Sequence, residues 1–502
     1  MSAALTSFQS PAQAAQWLRA QVRGTLRADS RQVQAGDGFI AWPGAATDGR
    51  QYVQGALAAG AGACLVEQDG VDAYGFDDAR VAAYAGLKAD TGPIAAAYFE
   101  EPSRHLTVMA VTGTNGKTST AWWLAQALAR TGRPCGVVGT LGIGVPGAMV
   151  SNGLTTPDPV LLQQHLRQFV DQGFAACAIE ASSIGLQERR LDGTAIKVAI
   201  FTNFTQDHLD YHASMEAYWD AKAALFDWPG LEVAVVNVDD LKGLALSGLL
   251  AERAVDLWTV SCQSPARLRA INIQHGAVLQ FEVVEQGDKA YPLSVPTVGL
   301  YNVSNLLGVI AALRAMGVPL ADAVSACNNL LPVPGRTETL AWDGQPLVVI
   351  DYAHTPDALE KVLTALRPTA QGRGGELWCV FGCGGDRDPI KRPLMAAVAE
   401  KCADQVVVTS DNPRHENPLT IISQILLGLS HRDAVHVQAD RAAAIAHALQ
   451  LAGARDVVLI AGKGHESHQE IAGEQLPFSD RAEAESVLHA RQVRPTSGGA
   501  AC

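Results

Sequence analysis

The sequence predicts an α/β protein of three domains, with a central P-loop-type, mostly parallel sheet domain and a C-terminal Rossmann-like doubly wound domain. Three observations carry this expectation. Short apolar runs alternate with amphipathic or alanine-rich stretches, and the runs end in clusters of glycine, hydroxyl and charged residues. One such run leads directly into a glycine-lysine phosphate loop. At 502 residues, with 48% hydrophobic and 18% charged side chains, the chain can bury several cores.

The net charge of −13 argues against a general nucleic-acid or membrane surface, so any phosphate site has to be locally basic. The N-terminus has no basic segment followed by an apolar one, and no apolar run reaches the length of a membrane span. The expectation is a cytoplasmic monomer acting on small molecules. Nine cysteines are scattered without a C-x-x-C pair, which suits reduced thiols; Cys379 and Cys383 read as strand-end packing.

Residues 1–102 form the first predicted domain. A helical pattern covers about residues 12–22, Asp29-Ser30-Arg31 and Ala45-Ala46-Thr47-Asp48-Gly49 read as polar turns, and residues 63–66 read as a buried strand. Glu101-Pro102-Ser103 ends the domain, because proline breaks the preceding helix.

The second domain spans residues 103–333. Its first apolar run, 106–111, stops at Thr112-Gly113-Thr114-Asn115-Gly116-Lys117-Thr118-Ser119, a strand, loop and helix. The glycines permit φ > 0 and close backbone approach, so successive N–H groups can face phosphate oxygens. Lys117 adds a point charge, and the Thr118 hydroxyl suits Mg²⁺. Val111 stands where the general P-loop pattern places its first glycine, so the loop is a shortened variant.

Runs at 175–179, 198–201 and 233–238 suit buried parallel strands, and ligands of open α/β sheets sit beyond their carboxyl ends. The first of these ends carries Glu180, Ser182, Glu188 and Arg190; the second carries Asp207-His208-Leu209-Asp210-Tyr211-His212. Each group alone is an ordinary cap or loop residue. Together, Thr118 and Glu180 with His208 as an additional ligand favour a Mg²⁺ site. Residues 218–226 form a plain amphipathic helix on which Lys222 is a surface charge, residues 262–298 are a β-rich excursion without assigned chemistry, and Asn302 and Asn305 read as helix caps. Pro332-Val333-Pro334-Gly335-Arg336 marks the second boundary and holds Arg336 in a constrained turn.

The third domain, 334–502, alternates again, with strands expected at 347–350, 377–381, 405–408, 434–437 and 457–460. Their ends carry Asp351, Arg387, then Asp411-Asn412-Pro413-Arg414, then Gly462 and Glu466, all expected at one sheet edge. Both signs of charge suit a zwitterion: Arg387 and Arg414 can grip a carboxylate while Asp411 and Glu466 receive an ammonium. A salt-bridge network at the sheet rim is the plainer alternative.

The loop Gly-Thr-Asn-Gly-Lys-Thr resembles the ATP loop of the Mur ligases and of their relatives the folylpolyglutamate synthetases. Glu-Ala-Ser-Ser, Asp-His-Leu-Asp-Tyr-His, Ala-Lys-Ala-Ala-Leu-Phe, Pro-Val-Pro-Gly-Arg, Asp-Tyr-Ala-His-Thr-Pro-Asp, Gly-Asp-Arg-Asp and Asp-Asn-Pro-Arg follow in the order found in the Mur ligase that adds the third stem-peptide residue of peptidoglycan. The resemblance implies ATP and Mg²⁺, with UDP-N-acetylmuramoyl-L-alanyl-D-glutamate and meso-2,6-diaminopimelate as the other substrates. It places ATP at Gly113 to Ser119, Asn302, Asn305 and Arg336. It places the UDP substrate at Ala28, Ser30, Ala45, Ala46, Thr47, Thr155, Thr156, Ser182, Glu188 and Arg190, and diaminopimelate at Arg387, Asp411 to Arg414, Gly462 and Glu466. Lys117, Glu180, His208 and Lys222 become catalytic, with Lys222 carbamylated as a metal ligand. The chain departs from many relatives at Ala45, Ile184 and Glu188. The rival readings are a folate-type ligase sharing the phosphate loop and a nucleotide-regulated binding protein without catalysis.

Overall fold

The computed structural model describes residues 5–44, 47–208, 211–274, 276 and 278–493. The chain divides into two compact units, the first made of 1–204, 211–259 and 311–317, the second of 205–210, 260–310 and 318–502. The architecture is α/β throughout, as the alternation of apolar runs and helices predicts.

The first unit holds two sheets. A five-stranded parallel sheet runs in the order Thr6–Phe8, Val81–Tyr84, Ala63–Glu67, Gly38–Ala41, Leu26–Arg27. The phosphate-loop strand Thr107–Thr112 sits inside a larger sheet, between Ala176–Glu180 and Ile196–Phe201 and parallel to both. Val233–Asn237 and Cys135–Gly139 extend the parallel set on either side, and the antiparallel strands Gly142–Val145 and Ala148–Val150, absent from the sequence reading, follow Cys135–Gly139. These inner strands are buried on both faces, which explains their unbroken Val, Ile and Ala runs.

In the second unit Leu268–Gln274, Leu279–Glu285 and Tyr291–Val295 form the expected β-rich excursion, paired antiparallel. Its main sheet has the order Glu338–Leu340, Leu347–Asp351, Val457–Ala461, Leu377–Phe381, Gln405–Val408, His436–Val437, parallel except for the first pair. The last strand is shorter than 434–437, because Ala434 belongs to the 3-10 turn Arg432–Ala434. Apolar clusters cover both faces, one with Leu359, Met395 and Ile421, the other with Ile445, Leu449 and Leu488.

Two helices are locked to this sheet by one buried ion pair. Arg441, at the start of Arg441–Leu451, donates through Nε and Nη2 to the two carboxylate oxygens of Asp480 on Asp480–Val493, both at 2.7 Å. Its remaining donors reach the carbonyls of Ser410 (3.1 Å) and Ala461 (3.0 Å), the last residues before two site-bearing loops. Replacing Arg441 with Met leaves Asp480 as a buried unpaired charge and is expected to cost about 3–5 kcal/mol of stability. Urea unfolding checks this, and an Arg441→Met/Asp480→Leu pair is expected to regain most of the loss.

Candidate active site

The register of the central sheet builds the phosphate loop. Val111 is opposite Glu180 and Thr112 is opposite Phe201, so the ends of the two neighbouring strands flank residues 113–116. Gly113 has φ +144, and a Cβ there would lie 2.0 Å from Thr202 Oγ1, so only glycine fits. Asn203 straps the loop from one side: its Oδ1 accepts the Asn115 N–H (3.0 Å), its Nδ2 donates to the Asn115 carbonyl (3.1 Å), and its own carbonyl accepts the Thr114 N–H (2.8 Å). The helix Lys117–Arg130 begins at once after Gly116, which puts its N-terminal amides and positive dipole end at the loop.

Two lysines converge on one loop carbonyl. Lys117 Nζ donates to the carbonyls of Gly113 (2.9 Å) and Thr114 (2.8 Å), and Lys222 Nζ donates to Gly113 (2.8 Å). Lys222 is 1% exposed, and its ammonium lies 4.4 Å over the ring of Tyr218, whose hydroxyl is 3.1 Å from Thr114 Oγ1. The sequence reading of Lys222 as a surface charge is therefore overturned by its burial.

Glu180 closes the other side. Its Oε2 accepts from the hydroxyls of Thr118 (2.9 Å) and Thr140 (3.1 Å), and its Oε1 accepts the Thr140 N–H (2.8 Å). Thr155 Oγ1 is 3.1 Å from Thr140 Oγ1, and Thr156 Oγ1 donates to the Glu180 carbonyl at 2.7 Å. Ser182 stands 3.0 Å from Thr156 Oγ1 and caps the helix Ser183–Gln187, while Arg190 Nη1 donates to the Thr156 carbonyl (3.0 Å). Thr118, Glu180, Thr155, Thr156, Ser182 and Arg190 are thus one contiguous hydroxyl-rich set. Glu188 is engaged elsewhere, accepting from Lys88 Nζ (2.8 Å) and the Tyr211 hydroxyl (2.6 Å), and the Lys88 bond first, then the Tyr211 bond, hold its carboxyl below its ordinary range.

Also in the first unit, a cleft of about 560 Å³ is lined by Ala28, Ser30, Trp42, Thr47, Tyr52 and Asp158. Ala45 and Ala46 lie outside the described residues.

The second unit carries the remaining expected residues. His208 has φ +53, and its Nε2 is 3.6 Å from Asp207 Oδ2. Asn302 is buried, its Nδ2 shared among Thr297 Oγ1 (2.9 Å), the Val298 carbonyl (2.8 Å) and Thr337 Oγ1 (3.1 Å), and its Oδ1 accepts from Asn305 (3.1 Å). The Arg336 guanidinium lies 4.7 Å over the Tyr352 ring. Asp351, expected among the ligand groups, instead anchors the turn, accepting the N–H groups of Thr337 (2.7 Å) and Ala353 (2.8 Å); burial pushes its carboxyl up.

At the carboxyl edge of the main sheet, Asp411, Asn412, Arg414, Gly462 and Glu466 come together. Arg414 Nε donates to Glu470 (3.1 Å) and Nη1 to the Gly385 carbonyl (2.8 Å). Pro413 lends its carbonyl to the Glu416 N–H (3.0 Å), and Arg387 Nη1 reaches the Asp386 carbonyl (3.1 Å). A Cβ on Gly462 would lie 2.4 Å from Asp411 Oδ2, which keeps this position bare. Sequence reading missed Asn203, Thr140, Lys88 and Lys463 as parts of these sites. Asn203 and Lys463 stand at strand ends already singled out, whereas Thr140 and Lys88 carry no local signal.

A glycine-lysine loop at the end of a parallel strand, with a mixed-charge cluster at the carboxyl edge of a second sheet, defines the class of α/β proteins whose ligands sit beyond the strand ends. The chain belongs to the Mur ligase family. Family models match it as Mur ligase middle domain over 111–313, as Mur ligase, glutamate ligase domain over 335–464, and as Mur ligase family, catalytic domain over 25–91. The UDP-N-acetylmuramoyl-L-alanyl-D-glutamate--2,6-diaminopimelate ligase of Acidovorax sp. (strain JS42) is 61% identical over 97% of this chain and 98% of its own. The ligase of the same name from Pseudomonas aeruginosa is 47% identical over 93% and 95%. A solved structure of a ligase with that name matches with TM-score 0.67 and 34% identity over 94% and 95% of the chains. The Mycobacterium tuberculosis folylpolyglutamate synthase, at 20% identity and TM-score 0.58 over 75% and 92%, shares the fold.

Two expectations follow from the geometry. Gly113→Ala is expected to weaken ATP binding by about tenfold or more, measured by titration calorimetry, because the added methyl meets Thr202. Beside the mixed-charge pocket, burial first and then the charges of Arg336 and Lys463 lower His465 from 6.5 to about 4. The unfolded chain binds this proton more readily, so the associated stability is complete above 6.5 and is lost as pH falls toward 4. His465→Phe is expected to flatten Tm against pH across that window.

Proposed function

We propose that the chain is an ATP-dependent amide ligase that joins meso-2,6-diaminopimelate to UDP-N-acetylmuramoyl-L-alanyl-D-glutamate, making a peptidoglycan precursor. The observation that carries the reading is the pocket after Gln405–Val408 and Val457–Ala461, where Arg414 and Asp411 offer opposite charges at the end of a sheet. Arg414 already pairs with Glu470 through Nε, and a second carboxylate on the incoming amino acid gives its guanidinium a further partner that lysine lacks. The relatives that span nearly the whole chain carry the name of this reaction.

The three domains of the reading are 1–102 for the UDP end, 103–333 for ATP and 334–502 for the amino acid. The terminal carboxylate of the UDP substrate attacks the γ-phosphate of ATP and ADP leaves; the neutral amine of diaminopimelate attacks the acyl phosphate so formed, and the tetrahedral intermediate collapses to the amide with loss of phosphate and of the amine proton. Amides of residues 113–118 and Lys117 hold the phosphates and offset charge as it develops. Ser182, Thr155, Thr156 and Arg190 position the acceptor carboxylate next to Glu180, the cleft at Ala28, Ser30 and Thr47, with Ala45 and Ala46, takes the uridine end, and Glu188 is a further contact of the UDP substrate. Asn302, Asn305 and Arg336 serve the nucleoside side of ATP.

Among the described residues no group of three or more His, Cys, Asp or Glu forms a metal site. The hydroxyls of Thr118 (2.9 Å) and Thr140 (3.1 Å) nevertheless meet at one Glu180 oxygen, a set of oxygen donors that fits a hard cation. Mg²⁺ there would neutralise phosphoryl charge. In this reading His208 would be an additional ligand, and carbamylated Lys222 would help to hold a second Mg²⁺. No described helix is long and apolar enough to cross a membrane; the enzyme acts in the cytoplasm, as a monomer.

The test supplies ATP, Mg²⁺ and the UDP substrate with either meso-diaminopimelate or L-lysine, and reads phosphate release and product mass. Product with diaminopimelate alone is expected, and Arg414→Met is expected to lower kcat/KM for diaminopimelate by about a hundredfold. Preference for lysine, or no product with either amine, overturns the reading.

A further inference from the structure

We propose that Lys463 is the positioning residue of the amino-acid pocket, tying up Glu466 and orienting Asn412 so that Asp411 is left as the open anion for the substrate ammonium. This rests on the amino-acid reading of the pocket given above. Lys463 is fully buried, and its Nζ donates to Asn412 Oδ1 at 2.8 Å and to Glu466 Oε2 at 2.7 Å. Asn412 is held from both ends. Its Oδ1 also accepts the Glu470 N–H (3.0 Å), and its Nδ2 donates to the same Glu466 oxygen (2.8 Å). An amide with its oxygen bound to an ammonium and an N–H has one allowed orientation, so Lys463 and the Glu470 N–H together hold Asn412 facing Glu466.

The pairing of charges gives the second half of the argument. Arg414 is matched by Glu470, Arg441 by Asp480 and Lys463 by Glu466. Asp411, 9% exposed, commits Oδ1 to the Asn412 N–H (2.7 Å), and its Oδ2 has no hydrogen-bond partner among the described residues. A buried carboxylate oxygen in that state is costly unless a ligand cation reaches it. Without Lys463, Glu466 is a second carboxylate that has lost its buried cation, the Asn412 oxygen keeps only the Glu470 N–H, and two anions compete for the substrate ammonium.

Steady-state kinetics of the full chain with ATP, Mg²⁺, the UDP substrate and meso-diaminopimelate test this, on Lys463→Met, Glu466→Gln and the double variant. Lys463→Met is expected to raise KM for diaminopimelate by about tenfold or more while KM for ATP and for the UDP substrate stay within about twofold. The double variant is expected to recover most of the loss, because a neutral amide in place of the Glu466 carboxylate needs no buried cation. Glu466→Gln alone keeps the test alive should Lys463→Met not fold, with a rise of similar size expected since it leaves Lys463 as an unmatched cation facing the substrate ammonium. Equal shifts in all three KM values, an unchanged KM for diaminopimelate, or a double variant no better than Lys463→Met each overturn the proposal. A wild-type enzyme that makes no product with diaminopimelate overturns the underlying reading instead, which separates the two failures.

Discussion

The Glu180 carboxylate ends the strand Ala176–Glu180 in three hydrogen bonds, to the Thr118 hydroxyl and to both the hydroxyl and the N–H of Thr140. Through Thr118 it fixes the first turn of the loop helix, through Thr140 the exit of the strand Cys135–Gly139, and through its own carbonyl Thr156. Its reach depends on register. A slip of one residue in the pairing with Thr107–Thr112 would turn the carboxylate to the opposite face of the sheet and separate it from the loop. Close approach is secured by Gly139, where a Cβ would lie 2.1 Å from Glu180 Oε1.

The second sheet solves a different problem, holding several charges at one rim without leaving them to water. Arg392, 1% exposed, pairs with Glu416, Arg441 with Asp480 and Lys463 with Glu466. Pairs of this kind add little net stability over apolar packing, yet each becomes a liability once one partner is removed. Their value is geometric, because every cation also binds backbone carbonyls or side-chain amides of the loops that follow the strands.

Much of this was legible in the residues. The glycine-lysine loop at the end of its strand, the polar strand ends and the doubly wound C-terminal sheet follow from local pattern, since parallel strands are continuous apolar runs and loops after them collect polar groups. Asp351 shows where such reading stops: it stands at a strand end like the others, but its carboxylate is taken by two backbone N–H groups, which no sequence pattern announces. Lys222 shows the same limit in reverse, since a lysine on an amphipathic helix reads as solvated until tertiary packing buries it against Tyr218. Lys88 and Glu188 are 100 residues apart and meet only through the fold.

The shared carbonyl of Gly113 sets how the loop can respond to a polyphosphate. Lys117 and Lys222 both donate to it, so while Lys222 is unmodified an anion that draws Lys117 away leaves the carbonyl held by Lys222, and carbamylation of Lys222 would remove that second hold. Lys117 also donates to the Thr114 carbonyl, so its recruitment by an anion is an exchange of two carbonyl oxygens for phosphate oxygens at one ammonium. Such a loop behaves as a spring-free clasp whose grip is governed by the charge of the guest rather than by the cost of ordering the host.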